Sequence, residues 1–201
     1  EAVKQRVRSA AQLDSPALIY GETGTGKELV AEALHTEGKR SGGPFVAQNC
    51  AAIPVNLLES IFFGTEKGSY TGAVTRKGLF EEANGGTLFL DEINSMDISL
   101  QAKLLKALEE KKVRRLGGER DIPFDVRIVA ATNENLEKAV EEGCFRRDLY
   151  HRLKEFVIKI PPLRECREDI LPLAEFFREL ANEELGRHTE GFDKEAEKEL
   201  M

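Results

Sequence analysis

Tryptophan is absent, and only three cysteines occur among the 201 residues. Cys50, Cys144 and Cys166 are scattered, odd in number and without C-x-x-C spacing. That excludes a disulfide framework and a thiolate metal site, and leads us to expect a reducing compartment, the cytoplasm. No apolar run approaches the roughly 18 residues of a membrane-spanning helix. The N-terminal stretch EAVKQRVRSAAQL is charged and amphipathic, without the apolar centre of a signal peptide. His35, His151 and His188 lie far apart and show no metal-ligand spacing. Positive charge is in deficit too. A net charge of −7 argues against the chain itself gripping nucleic acid. Internal repeats and low-complexity tracts are also missing.

What is present is globular. Hydrophobic residues make up 41% of the chain and charged residues 32%, too apolar for disorder. The length suits one domain, or one domain with a small appendage. Short apolar runs alternate with helical patterns, which predicts βαβ units and a parallel sheet. PALIYG, PFVAQN, GGTLFLDE and FVIKIPP read as strands. ELVAEALH reads as a helix with Leu29, Val30, Ala33 and Leu34 on its apolar stripe, and NLLESIFFG as a short helix stopped by Gly64. SLQAKLLKALEEKKV is the clearest helix, with Leu100, Leu104, Leu105 and Leu108 on one face. VRRLGGERDIPFDVRIV reads as strand, turn and strand, its second arm running on into VRIVAATN. Arg114, Arg115 and Arg120 on this hairpin, interleaved with Glu119 and Asp121, read as a mixed solvated face. NLEKAVEEG is a helix capped by Asn135 and ended by Gly143. From Arg164 the chain turns wholly helical, with Ile170, Leu173, Phe177 and Leu180 on one face and Asp193 capping a last helix. We therefore expect an α/β domain over 1–163 and a helical segment over 164–201.

GETGTGKE, from Gly21 to Glu28, stands between a buried strand and a helix, the setting a phosphate-binding loop requires. Gly21, Gly24 and Gly26, with Glu22, Thr23 and Thr25 between them, let backbone N–H groups face a concavity. The helix N-terminus adds unpaired donors, and Lys27 adds a full charge beside the β- and γ-phosphates. Glu28 stands where the pattern has the Ser or Thr that binds Mg²⁺. It is expected to point away, leaving the metal to water, phosphate oxygens and Asp91. Asp91 and Glu92 close a strand at the sheet edge where ligands sit in open α/β folds. Asp91 suits the Mg²⁺ shell and Glu92 the polarising of an attacking water. Thr132 and Asn133 end another strand. The pair either caps a turn or, if that strand lies between the other two, lets Asn133 reach the water or γ-phosphate. EKGSYTGAV, with Tyr70 between Gly68 and Gly72, reads as a surface loop whose exposed aromatic is a contact residue.

Together GETGTGKE, LLESIFFGTEKGSYTGAV, GGTLFLDEI, VRIVAATN, FRRDLYHRL and PPLRECREDI resemble the AAA+ ATPase domain of bacterial enhancer-binding activators of sigma-54 RNA polymerase, the NtrC-like family. The resemblance runs almost end to end. It implies an αβα sandwich followed by a helical lid, a ring of six or seven subunits with ATP between them, and remodelling of the sigma-54 holoenzyme. Asn49 matches the residue that restrains Glu92, and Thr132 with Asn133 the sensor of the γ-phosphate. Arg146 and Arg152 match the fingers given to a neighbour's ATP. Arg147 stays an alternative, because residues six apart lie about 120° from a shared helical face. Gly68, Ser69, Tyr70, Thr71, Gly72 and Ala73 match the loop that touches sigma-54, with Ser69-Tyr70 where the family has Ala-Phe. Later lid helices and the domains for regulation and for enhancer DNA find no counterpart here, so the chain reads as a trimmed piece, weakened in nucleotide affinity and assembly. Two rivals stay open: an unfoldase or DNA motor of the same superfamily, and a monomeric nucleotide-binding fragment that hydrolyses little.

Overall fold

The computed structural model describes residues 2–69 and 72–201, with Ala2 described by its backbone alone. Tyr70 and Thr71, the centre of the expected contact loop, lie outside the described residues. Internal contacts divide the chain into Glu1–Ile160 and Pro161–Met201.

In the first unit, strands β1 (Ala17–Tyr20), β2 (Phe45–Asn49), β3 (Thr87–Asp91), β6 (Arg127–Thr132) and β7 (Phe156–Lys159) form one sheet in the order β2-β3-β6-β1-β7. Every neighbouring pair is parallel. A parallel sheet needs crossovers that bury both its faces, and the strand sequences are built for that. Within β1, Leu18 joins one apolar cluster while Ala17 and Ile19 join another on the opposite face. All six residues of β6 are buried. Helices α1 (Ala2–Ala11) and α2 (Lys27–Thr36) supply Val7, Ala10, Ala31 and Leu34 to the second cluster. Helices α3 (Val55–Phe63), α4 (Leu79–Glu82), α5 (Ile98–Glu110), α6 (Leu136–Glu141) and α7 (Arg147–Leu153) supply the first. The result is three layers, helix on sheet on helix.

Two sequence expectations are corrected. The buried face of α2 is Lys27, Ala31, Leu34 and His35, and Leu29 is 69% exposed. The stripe is rotated because Lys27 and His35 spend their polar ends inside, on loop carbonyls and on Thr87. The hairpin's second arm does not run on into β6. Strands β4 (Lys112–Arg114) and β5 (Asp121–Pro123) form their own antiparallel pair. The chain breaks after Pro123, where Phe124 turns inward onto Phe80 at 4.6 Å and the Asp125 N–H donates to the Asn84 side chain. Proline ends the ladder because it has no N–H to give.

The second unit holds two short 3₁₀ turns, then α8 (Ile170–Leu185) and α9 (Lys194–Leu200). Gly186 closes α8 in the left-handed region, and the Asp193 carboxylate accepts from the N–H groups of Glu195 and Ala196. No residue of α8 or α9 is buried, and Leu173, Phe177 and Leu180 are all exposed.

Candidate nucleotide-binding site

The sheet order puts the C-terminal ends of β1, β6 and β3 side by side, with β6 in the middle. The loop after β1 is drawn toward β6, since the Gly21 N–H donates to the Thr132 carbonyl at 3.2 Å. Gly24 and Gly26 have φ of 83° and 81°, a region that a Cβ makes costly. Gly26 caps α2 without any side-chain bond, so the helix's first N–H groups have no capping side chain. Lys27 is buried, and its ammonium donates to the carbonyls of Gly21 and Glu22, each at 3.1 Å. The loop is thus curled round its own cation. The Thr25 hydroxyl braces the curl with a 2.7 Å bond to the Glu22 carbonyl, and Thr23 accepts from the Asn133 amide at 3.4 Å. Glu28 is exposed in the first turn of α2, where the helix dipole favours an acid.

Glu92 has φ 51° and ψ 47°, left-handed backbone that a non-glycine residue rarely adopts. The Asp91 carboxylate accepts from the Glu92 N–H at 2.9 Å and stabilises this turn. Asn49 ends β2 in register with Asp91. Its side-chain oxygen accepts from the N–H groups of Ala51 and Ala52, and no hydrogen bond joins it to Glu92 among the described residues. Burial, reinforced by the charges of Asp91 and Glu92, pushes the Cys50 thiol up to about 12, so it stays an inert core group. Thr132 is fully buried, donates to Asn94 at 2.9 Å and accepts from the Glu134 N–H. Asn94 escaped the sequence reading. It ties the end of β6 to the turn that follows Glu92.

Arg146 is the N-cap residue of α7, and Arg147 and Arg152 lie within that helix. Arg146 pairs with Asp148 at 2.6 Å and Arg152 with Glu155 at 3.4 Å. Among the described residues, none of the three hydrogen-bonds to Asp91 or Glu92. Gln101, fully buried on α5, was also missed: its amide donates to the carbonyls of Met96 and Cys144, and its oxygen accepts from the Arg146 N–H at 2.8 Å. One glutamine amide thereby fixes the backbone that presents Arg146.

The stem of the 66–74 loop is fastened to the hairpin. Glu66 N–H donates to the Leu116 carbonyl, and the Thr65 hydroxyl to the Val74 carbonyl. Arg115 differs from the solvated residue expected. Its side chain is 16% exposed and grips both oxygens of Glu81, at 2.8 and 2.6 Å, and Glu66 at 2.9 Å. A Cβ on Gly117 would lie 2.5 Å from that of Ser69, so glycine there lets hairpin and loop touch. Gly68 and Gly72 have φ of 89° and 85°, and Ala73 is buried.

The family model described as "Sigma-54 interaction domain" matches residues 1–159. The chain belongs to that family. Transcriptional activator RocR of Bacillus subtilis is 56% identical over 175 residues, 87% of this chain and 38% of its own length. The transcriptional regulator NtrC of Salmonella typhimurium is 56% identical over 170 residues, 84% of this chain and 36% of its own. NtrX from Brucella abortus, solved in complex with ATP, superposes with TM-score 0.86 at 40% identity, over 92% of this chain and 42% of that one. This sigma-54 interaction domain is therefore an NtrC-like AAA+ domain with the P-loop NTPase fold. It spans less than two fifths of the RocR and NtrC chains. Among its described residues no helix is long and apolar enough to cross a membrane.

Proposed function

We propose that this sigma-54 interaction domain hydrolyses ATP and spends the energy on remodelling the sigma-54 RNA polymerase holoenzyme toward an open complex. The observation that carries the reading is that the loop leading to Lys27, the pair Asp91–Glu92 and the pair Thr132–Asn133 follow the C-terminal ends of the neighbouring strands β1, β3 and β6. ATP-bound NtrX, similar in fold, supports the choice of nucleotide. The loop N–H groups and Lys27 hold the phosphates. Glu92 takes a proton from the attacking water as its oxygen bonds to the γ-phosphorus and the bond to the β-γ bridging oxygen breaks, leaving ADP and phosphate. Asn49 restrains Glu92, and Thr132 and Asn133 read the γ-phosphate. Arg146 and Arg152 act on a neighbour's ATP in a ring of subunits, a contribution of about 10³–10⁵-fold in such enzymes.

The donor set fits Mg²⁺ that arrives with the nucleotide. No group of three or more acidic, histidine or cysteine side chains forms a cage among the described residues, and Mg²⁺ characteristically takes one or two carboxylates plus phosphate oxygens and water. Asp91 would hold it, and the ion would neutralise phosphate charge.

Gly68, Ser69, Tyr70, Thr71, Gly72 and Ala73 form the contact with sigma-54, and residues 164–201 begin a helical lid. Replacing Glu92→Gln should abolish hydrolysis and leave ATP binding intact. Near-normal turnover in that variant would remove Glu92 from the role. Replacing Tyr70→Ala should leave ATPase largely intact and abolish open-complex formation. Transcription that survives Tyr70→Ala would refute the loop assignment.

A further inference from the structure

Tyr150 lies on α7 between Arg146 and Arg152, its ring buried. Its hydroxyl donates to Glu137 Oε1 on α6 at 2.7 Å, and Lys154, just past the end of α7, donates to the same oxygen at 2.6 Å. The Lys154 ammonium also stands 4.8 Å over the Tyr150 ring. Helix α6 starts three residues after Asn133, capped by Asn135, whose oxygen accepts from the N–H groups of Glu137 and Lys138. On the other side, Tyr150 meets Tyr20, the last residue of β1 and the one before the phosphate loop. The half-buried Tyr20 hydroxyl interacts with that of Tyr150 and with the Leu136 N–H. Burial, then Tyr150 and the charge of Glu137, push the Tyr20 phenol up against the opposing Leu136 bond, so it keeps its proton. An ionised carboxylate only accepts, which sets the direction of the bonds at Glu137.

We propose that Glu137 is a positioning residue: by accepting from Tyr150 and Lys154 it holds the arginine-bearing helix α7 against the strand ends that carry the phosphate loop and Thr132–Asn133, and so fixes the arginines that this subunit offers its neighbour. The inference rests on the reading that those arginines act between subunits. The Glu137 side chain is 61% exposed, and exposed pairs add little stability. What the arrangement fixes is orientation. Helix α7 has only seven residues, too short to hold its own course. Gln101 fastens its start through the Arg146 N–H, and Glu137 fastens its last turn. Releasing the second point lets the helix swing about the first, and a displacement of about 1 Å at a reacting centre can cost 10²-fold.

The test uses the full-length protein carrying Glu137→Ala, Glu137→Gln, Arg146→Ala and Lys27→Ala separately. Glu137→Ala should keep the Kd for ATP and the thermal midpoint near wild type while kcat falls about tenfold or more. Glu137→Gln, which keeps an acceptor for Tyr150, should fall less. Mixed rings supply the readout that a structural defect does not move. A Glu137→Ala subunit keeps a working phosphate site, and a Lys27→Ala subunit keeps well-placed arginines, so the mixture should regain turnover beyond the sum of its parts, as Arg146→Ala with Lys27→Ala should. Complementation by Arg146→Ala but not by Glu137→Ala would overturn the proposal and leave the action between subunits standing. Complementation by neither would overturn both. Loss of ATP binding or of the thermal midpoint in Glu137→Ala would also overturn it.

Discussion

Arg115 offers a quantitative test of how the loop stem is held. Replacing Arg115→Met removes a guanidinium that binds both oxygens of Glu81 and one of Glu66. Side-chain exposure is 16% for Arg115, 9% for Glu81 and 38% for Glu66. Removing one partner of a fully buried pair costs about 3–5 kcal/mol. Glu81 keeps one bond, from the Gly78 N–H at 3.3 Å, and Glu66 is partly solvated, so we expect a loss below that range, about 2–3 kcal/mol. Arg115 is also the first cause holding the Glu81 carboxyl below its ordinary value. A depressed carboxylate stabilises the fold above its unfolded pKa of about 4.3 and loses that contribution as pH falls through the folded value. The deficit of Arg115→Met should therefore be full near pH 7 and shrink below about pH 4.3. Urea unfolding followed by far-UV circular dichroism, at both pH values and with an unchanged m-value, measures it. The double change Arg115→Met with Glu81→Gln should recover much of the loss, because no unpaired carboxylate remains buried. A loss under about 0.5 kcal/mol at neutral pH would show an ordinary surface pair and refute the reasoning.

Two further outcomes follow from buried polar groups. His35 bonds to Thr87 at 3.0 Å, and desolvation lowers its pKa. Unfolded chains then bind more protons than folded ones below about pH 6.5, so stability should decline as pH falls from there toward the folded pKa and level off beneath it. His35→Gln should flatten that segment of a stability–pH curve, and an unchanged segment would exclude His35 as its source. Gln101→Leu strands the Met96 and Cys144 carbonyls and the Arg146 N–H, which should cost about 2–4 kcal/mol. Turnover should fall further than ATP affinity, and equal losses in both would deny Gln101 any part in presenting Arg146.

Local chemistry made much of this domain legible in the sequence. GETGTGKE between a strand and a helix reads as a phosphate loop because glycine torsions and a lysine at fixed spacing are properties of a short segment. Asn135 and Gly143 mark the ends of α6 for the same reason: a cap is decided within a few residues. The apolar runs foretold parallel strands. Their order was open, however, and the possible role of Thr132 and Asn133 depended on it.

Arg115 read as a solvated hairpin residue because Glu66 and Glu81 are 49 and 34 positions away. Gln101, Asn94 and Glu137 looked like ordinary helix or turn residues, since nothing in a linear pattern says that a side chain faces a distant backbone. The α2 stripe went astray because Lys27 and His35 find polar partners inside, which hydropathy counts against burial. By itself, the sequence determined the chemistry that short segments carry: the phosphate loop, the acids at a strand end, the helix caps and the alternation of strands and helices. The tertiary structure alone decided which strand ends stand together and which buried polar groups hold them, because those partners meet across long stretches of chain.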